Sequence, residues 1–285
     1  MRSSVGGVLI SGERGTAKST IVRSFARMMY GGFPVTLPIN ATDDRVLGGW
    51  RINALMQGDP DWQPGLLQQA DGRMLYIDEV NLLDDHIINL ILDVVSTDVL
   101  VVEREGMDDP QIRVSFTLVG TMNPEEGALR PQLLDRFGLF VPASAEQDPD
   151  VRRDILLTVL RFDAERDQRD SEWLAEGASR DAERRERITG ARDIVHDVEV
   201  PDGIVTLCAA VAAEFEVVGH RGEIVMAQGA RAAAALDDRY TVTEDDVRGI
   251  AQYAIMHRRR EAAYAEAIEW SDKDAERLEH VFSGA

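Results

Sequence analysis

Val8-Leu9-Ile10-Ser11-Gly12-Glu13-Arg14-Gly15-Thr16-Ala17-Lys18-Ser19-Thr20 is the stretch whose reading decides the fold. Val8 to Ile10 form a short apolar run that suits a buried parallel strand. Gly12 and Gly15 then punctuate a turn, and Lys18-Ser19-Thr20 opens a segment of helical periodicity. A strand, a glycine loop and a helix starting with Lys-Ser make, in that order, a phosphate-binding loop. Backbone N–H groups of the loop and helix N-terminus face the phosphates, Lys18 reaches the β and γ oxygens, and the Ser19 hydroxyl is placed for Mg²⁺. The pattern asks for glycine at position 17, where this chain has Ala17. With helical dihedrals alanine costs little there; with φ above zero the loop is strained by ~1 kcal/mol or more. The alternative is an ordinary glycine turn between strand and helix, and a second motif weighs against it.

That motif is MLYIDEV, Met74 to Val80. Four apolar residues end in Asp78-Glu79, which puts two carboxylates at the C-terminal end of a buried strand, the edge where open parallel sheets bind ligands. An apolar strand ending in Asp-Glu is weak alone, because many strands end in an acidic turn. Downstream of a phosphate loop it resembles a Walker B motif, with Asp78 holding Mg²⁺ through its water shell and Glu79 polarising the attacking water as general base.

Length and composition bound the rest. A chain of 285 residues can bury a sizeable core, and two domains are expected. Apolar content of 44% and charged content of 29% describe a soluble globular protein. With 51 acidic against 31 basic residues, the net charge of −20 repels nucleic acid and anionic membranes. Lys18 and Lys273 are the two lysines, so a lysine inside the loop is less easily incidental. The single Cys208, in the apolar run LCAAVAA, reads as core and excludes an intrachain disulfide. Histidines 86, 196, 220, 257 and 280 lack close metal-ligand spacing, which disfavours a protein-held transition metal. Without a signal peptide or a long apolar run, the cytoplasm is the default.

Along the chain, the helix after the loop carries Ile21, Val22, Phe25, Met28 and Met29 on one stripe, and Gly31-Gly32 stops it. Val35 to Ile39 reads as a strand that Pro38 assigns to an edge. Residues 43–71, rich in Gly, Pro and Gln, read either as a surface insertion with short helices or as a pore or partner loop. Asp84 or Asp85 can cap a helix carrying Ile87, Ile88, Leu90, Ile91, Val94 and Val95. Val99 to Val102 and Ile112 to Val119 read as a hairpin across the polar turn EREGMDD, its second arm running on to Thr121 and Asn123. An amide at that strand end could orient the lytic water; an Asn-Pro turn explains it equally. In LRPQLLDRFGLFV, Leu133, Leu134 and Phe137 point inward and leave Arg130, Asp135 and Arg136 available. Residues 150–190 interleave Arg with Asp and Glu as a solvated helix face. Val205 to Val218, Ile224 to Leu236 and Asp245 to Met256 carry apolar stripes, the last opened by a capping box in TVTEDDV. The expected division is therefore 1–145 nucleotide-binding core, 146–258 linker helix and helical lid, and 259–285 charged helix with a loose tail.

Assembled, the sequence resembles an AAA+ ATPase, and more narrowly the clade containing the ATPase subunit of magnesium and cobalt chelatases and the MoxR proteins. The resemblance covers roughly residues 5 to 258. It is carried by GERGTAKST, LPINATDDRVLGG, MLYIDEVNLLDD, GTMNPEEGALRPQLLDRFGL and GHRGEIVMAQGARAAAAL, several of them close to the chelatase subunit. It implies an α/β fold: a P-loop AAA+ domain with a five-stranded parallel sheet flanked by helices, then an all-helical lid domain, assembling into a homo-oligomeric ring, commonly a hexamer. The implied nucleotide contacts are Gly12, Glu13, Arg14, Gly15, Thr16, Ala17, Lys18, Ser19 and Thr20, with ATP and Mg²⁺ as cofactors and Ser19 and Asp78 at the metal. Beside Glu79, Asn123 takes the sensor-1 place and Arg136 that of a finger reaching a neighbour's γ-phosphate, where an intrachain ion pair is its competing role. Arg221 takes the sensor-2 place, with Arg231 as alternative carrier. The VLVVEREG hairpin is similar to the family's insertion before sensor 1. The family also uses a segment upstream of the first strand to hold adenine. This chain begins eleven residues before Gly12, so the resemblance implies either a start assigned too late or nucleotide held mainly by its phosphates, with reduced affinity.

The implied function is an ATP-hydrolysing motor subunit that drives insertion of Mg²⁺ or Co²⁺ into a tetrapyrrole such as protoporphyrin IX. Its partners would be a large tetrapyrrole-binding chelatase subunit and a von Willebrand-type subunit. The alternative is a MoxR-type chaperone that remodels or metallates a protein client with a von Willebrand-type partner. A nucleotide-gated scaffold with little hydrolysis and a DNA remodeller are the other classes; intact Lys18, Asp78, Glu79 and Arg136 argue against the first, and the acidic balance against the second.

Overall fold

The computed structural model describes residues 5–50, 62–102, 111–168, 170–263 and 268–284. In chain order the first part comprises β1 (Val8–Gly12), α1 (Lys18–Tyr30), β2 (Val35–Leu37), α2 (Asp43–Leu47), β3 (Gly48–Trp50), β4 (Trp62–Pro64), α3 (Leu66–Gln69), β5 (Met74–Ile77), α4 (Asp85–Thr97), β6 (Val99–Val101), β7 (Gln111–Arg113), β8 (Thr117–Met122), α5 (Pro131–Arg136) and β9 (Leu139–Ala143). The second part is helical: α6 (Pro149–Glu165), α7 (Glu172–Ile194), α8 (Asp202–Glu214), α9 (Arg221–Leu236), α10 (Glu244–Ile255) and α11 (Asp272–Gly284).

Five strands form one parallel sheet in the order β2-β5-β8-β1-β9, with β2 at the edge where Pro38 placed it. The register sets Ile10 beside Thr121 and Ile77 beside Gly120, so the segments following β1, β5 and β8 leave the sheet at one edge. All four residues of β5 are buried, as a strand covered on both faces requires. Met74 and Tyr76 join Val22 and Ala26 of α1 on one face, while Leu75 and Ile77 join the larger cluster under α4 on the other. A second apolar cluster, built on Leu207, Val211, Met226 and Ile255, makes the core of the helical part. The capping box is formed: the Asp246 carboxylate accepts from the Thr243 backbone N–H and hydroxyl, each at 2.8 Å.

The structure revises several local expectations. Helix α1 buries Val22 and Ala26, while Ile21 and Phe25 lie outward, because Ala26 rather than Phe25 lets the helix approach the sheet. Gly31 ends it at φ 71°. Residues Val99–Val101 pair with Gln111–Arg113 as a separate antiparallel hairpin, and the chain breaks before entering the main sheet at Thr117; the EREGMDD turn lies outside the described residues. Part of the 43–71 segment, residues 51–61, also lies outside them; around it are α2, α3 and the β3–β4 pair, with Trp50 and Trp62 edge to face. The C-terminal helix is not a loose tail: α11 buries Leu278 and Phe282 against the lid cluster, and buried Asp274 pairs with Arg259 at 2.8 Å. The residues expected to be available around α5 are engaged, Arg130 with Asp85, Arg136 with Asp93 and Asp135 with Arg221 and Arg258.

Candidate active site

The loop from Gly12 to Lys18 is shaped by three backbone positions. A Cβ on Gly12 would stand 1.9 Å from the Ala143 carbonyl oxygen, so only glycine lets β9 come this close. Gly15 sits at φ +81°, and Ala17 at φ 60°, ψ 17°, a left-handed conformation. The second of the two cases weighed for position 17 therefore holds: alanine occupies a glycine-type backbone and the loop stores strain. Helix α1 begins with neither a side-chain cap nor an acidic residue in its first turn, which leaves its N–H groups for an anion. The Lys18 ammonium folds back over the loop, donating to the carbonyls of Gly12 at 2.5 Å and Glu13 at 2.7 Å.

Facing the loop is a knot of hydroxyls around one carboxylate. Asp78 Oδ1 accepts from Tyr76 Oη at 2.7 Å and Thr121 Oγ1 at 2.8 Å, with Ser19 Oγ at 3.4 Å. Tyr76 Oη is also 3.0 Å from Ser19 Oγ and 3.1 Å from Thr121 Oγ1. Burial, foremost, pushes the Tyr76 phenol above its ordinary pKa, which keeps it protonated and able to donate. Ser19 and Asp78, expected together at a metal, are thus brought together. Their donor set is hydroxyl plus carboxylate, hard oxygen in an open arrangement, and fits Mg²⁺, which retains most of its water. Among the described residues no group of three or more His, Cys, Asp or Glu side chains could hold a metal, so a site here has to be of this open kind.

Glu79 follows at φ 54°, ψ 57°, a strained left-handed conformation, with its N–H donating to Thr121 Oγ1 at 3.4 Å. Asn123, 3% exposed, immediately follows β8 at the same edge, and its Oδ1 accepts from the Glu125 N–H at 3.2 Å. Asn81 Nδ2 joins the two loops, donating to the carbonyls of Asn123 at 3.3 Å and Gly127 at 3.2 Å. Arg14 ties the phosphate loop to the same region through Glu126.

Arg136 and Arg221 form a separate group about α5. Arg136 pairs with Asp93 and donates to Asn89 Oδ1 at 3.0 Å, both on α4. Arg221, first residue of α9, donates to Asp135 Oδ2 at 2.9 Å. Arg231, the alternative carrier, donates to the His196 carbonyl. Sequence reasoning missed Tyr76, whose phenol interrupts an aliphatic strand, and Arg258, whose side chain is wholly buried against Asp135. A cavity of about 930 Å³ opens beside the loop between the two parts of the chain, bordered by Gly12, Glu13, Pro142, Val218, Gly219 and His257. That volume suits a nucleoside.

A family model for an AAA domain of the dynein-related subfamily matches residues 7–137, and one for an AAA lid domain matches residues 206–279. The chain is 39% identical to the magnesium-chelatase 38 kDa subunit of Cereibacter sphaeroides, covering 92% of this chain and 87% of that protein. It is 37% identical to a magnesium-chelatase subunit homologue of Methanocaldococcus jannaschii, over 90% of this chain and 79% of the other. It is also 43% identical to an uncharacterised protein of Mycobacterium tuberculosis over 91% of this chain, but spans only 42% of that relative's length. Among solved structures, a protein described as an ATPase from Cytophaga hutchinsonii superposes with a TM-score of 0.64 over 99% of this chain and 86% of its own, at 17% identity, a likeness of fold. With the loop, the two carboxylates and the lid in place, these relationships settle the family: the chain is an AAA+ ATPase and belongs with the ATPase subunits of the magnesium chelatases.

Proposed function

We propose that this ATPase is the motor subunit of a metal chelatase, coupling ATP hydrolysis to insertion of Mg²⁺ or Co²⁺ into a tetrapyrrole held by a separate large subunit. The observation that carries the reading is the near full-length similarity to magnesium-chelatase 38 kDa subunits, on a chain whose hydroxyl and carboxylate knot joins the phosphate loop to β5. Residues Gly12 to Thr20 would cradle the phosphates, with Lys18 moving from the loop carbonyls to the β and γ oxygens. Ser19 and Asp78 would hold Mg²⁺, which when bound neutralises charge on the phosphates. Glu79 would take a proton from the attacking water, and buried Asn123 would orient that water from the neighbouring strand end. The cavity bordered by Val218 and Gly219 would receive the nucleoside.

Assembly into a homo-oligomeric ring is supported by two features. Arg136 lies on a different element group from the phosphate loop, as a residue serving a neighbour's site must. Helix α6 has no buried residue, although it carries Val151, Ile155, Leu156, Leu157, Val159, Leu160 and Phe162, each between 43% and 58% exposed. A helix of this length is marginal alone, and an apolar surface of this kind marks an interface. A von Willebrand-type subunit and the large tetrapyrrole-binding subunit complete the proposed assembly. No helix among the described residues is long and apolar enough to cross a membrane.

The test is affinity capture from the source cell with Glu79→Gln, which should keep ATP bound while slowing hydrolysis. Recovery, with ATP only, of a large tetrapyrrole-binding protein and a von Willebrand-type protein supports the chelatase. Recovery of the von Willebrand-type protein with an unrelated metalloenzyme replaces it by a MoxR-type chaperone.

A further inference from the structure

The Tyr76 hydroxyl lies at the centre of the knot, and its placement has a local cause. Side chains alternate along β5, so Met74, Tyr76 and Asp78 share the face under α1. The Tyr76 ring packs in the cluster with Val22, Ala26, Met74 and Val119, fully buried. Its hydroxyl emerges at the sheet edge, where the first turn of α1 brings Ser19 and the end of β5 brings Asp78.

Hydrogen accounting then constrains the group. The phenol has one proton, and its shortest contact, 2.7 Å to Asp78 Oδ1, takes it. Thr121 gives its own proton to the same oxygen at 2.8 Å. The same hydroxyl is placed to donate to Ser19 Oγ at 3.0 Å as well, while Ser19 directs its own hydroxyl to Asp78 Oδ1 at 3.4 Å. The phenol hydroxyl therefore stands between Ser19 Oγ and Asp78 Oδ1, within hydrogen-bond distance of both. Tyr76, Thr121 and Ser19 all direct hydroxyls at Asp78 Oδ1, so Asp78 Oδ2 takes no part in this knot. Phenylalanine at position 76 would fill the same space but remove the one group that touches both Ser19 and Asp78.

We infer that Tyr76 is the positioning residue of the magnesium site, orienting Ser19 and Asp78 together through the Ser19–Tyr76–Asp78 chain so that both present oxygen to the cation. The inference rests on the assignment of Ser19 and Asp78 to Mg²⁺ proposed above. Residues that orient metal ligands typically account for 10- to 100-fold in metal affinity.

The experiment is binding of a fluorescent ATP analogue to the full chain and to Tyr76→Phe and Asp78→Asn, titrated with Mg²⁺ and repeated in EDTA, with melting curves for each. For Tyr76→Phe the expected result is a rise of about 10-fold in the Mg²⁺ concentration giving half-maximal tight binding. Its nucleotide affinity in EDTA should stay within about twofold of wild type, since the phenol acts on the metal ligands only. In a Ser19→Ala background the Tyr76→Phe effect should shrink, because the two act in one chain. An unchanged Mg²⁺ dependence in Tyr76→Phe, with Asp78→Asn impaired, overturns the inference alone. If Asp78→Asn also retains its Mg²⁺ dependence, the metal assignment itself falls. Equal loss with and without Mg²⁺, or an insoluble Tyr76→Phe, would overturn the inference by placing the hydroxyl in the integrity of the sheet.

Discussion

Ala17 combines a legible departure with an illegible consequence: the missing glycine is plain in the sequence, but its φ of 60° is a property of the folded loop. A left-handed alanine costs about 1–2 kcal/mol, partly offset because glycine has more freedom to lose on folding. Ala17→Gly should therefore stabilise the protein by about 0.5–1 kcal/mol, read as a higher midpoint of chemical unfolding. A lowered midpoint would mean that the loop does not keep this conformation in solution. His257 poses a second residue-scale question. It stacks on Phe140, its Nε2 lies 3.1 Å from the Phe137 carbonyl, and among the described residues its Nδ1 has no partner. Burial, then the neighbouring Arg258 charge, pushes its pKa down to about 3, so the folded protein holds it neutral. The unfolded chain binds that proton near pH 6.5, so between about 6.5 and 3 the unfolded state carries more protons. Stability should then fall with falling pH, by up to about 1.4 kcal/mol per unit from this group. His257→Gln should flatten unfolding midpoints measured from pH 7 to 5; an unaltered slope would count against a buried neutral imidazole.

At the scale of elements, α5 is where core and lid are joined. The wholly buried Arg258 side chain donates to Asp135 Oδ1 at 3.0 Å, to the Asp135 and Phe137 carbonyls at 2.7 and 2.5 Å, and to that of Gly138 at 2.9 Å. Burial lowers its pKa to about 10, and it stays charged at neutral pH. Removing it would strand those acceptors, so Arg258→Met should cost about 3 kcal/mol or more, and Arg258→Lys should not restore it, because an ammonium lacks the planar fork. Differential scanning calorimetry would resolve this; a variant melting within a degree of wild type would refute it. This junction was invisible in the sequence because its partners lie more than a hundred residues apart and leave no local period. The elements that were legible have local causes: the strand and loop at Val8–Thr20, the aliphatic run before Asp78, the Gly31 stop and the Thr243–Asp246 box. The sheet edge gathers Ser19, Asp78, Glu79 and Asn123 because each follows or precedes a strand of the same parallel sheet, which topology alone implies. The break between β7 and β8 was missed, since Ile112 to Val119 reads as one apolar run and only the chain's departure from one sheet to another divides it.

On the scale of the whole molecule, the unresolved tension is between a complete phosphate side and an arginine turned away from it. Arg136 is paired with Asp93 on its own chain, so the proposed finger acts only if a neighbour's nucleotide draws it off that carboxylate. Assembly in a head-to-tail ring supplies such a neighbour, because a heterologous contact sets two different faces together. The exposed apolar face of α6 supplies surface for a subunit contact. Specific ATPase activity should accordingly rise with protein concentration. Lys18→Ala and Arg136→Ala proteins, each nearly inactive alone, should regain activity when mixed. In a random equimolar mixture, half the sites carry Lys18 and half of their neighbours carry Arg136, so about a quarter of wild-type turnover is expected. Ile155→Asp/Leu160→Asp should lower that recovery while leaving nucleotide binding by the isolated chain intact. Were the mixture no more active than its components, Arg136 would be a structural partner of Asp93, and the transition-state charge would have to be met within one chain.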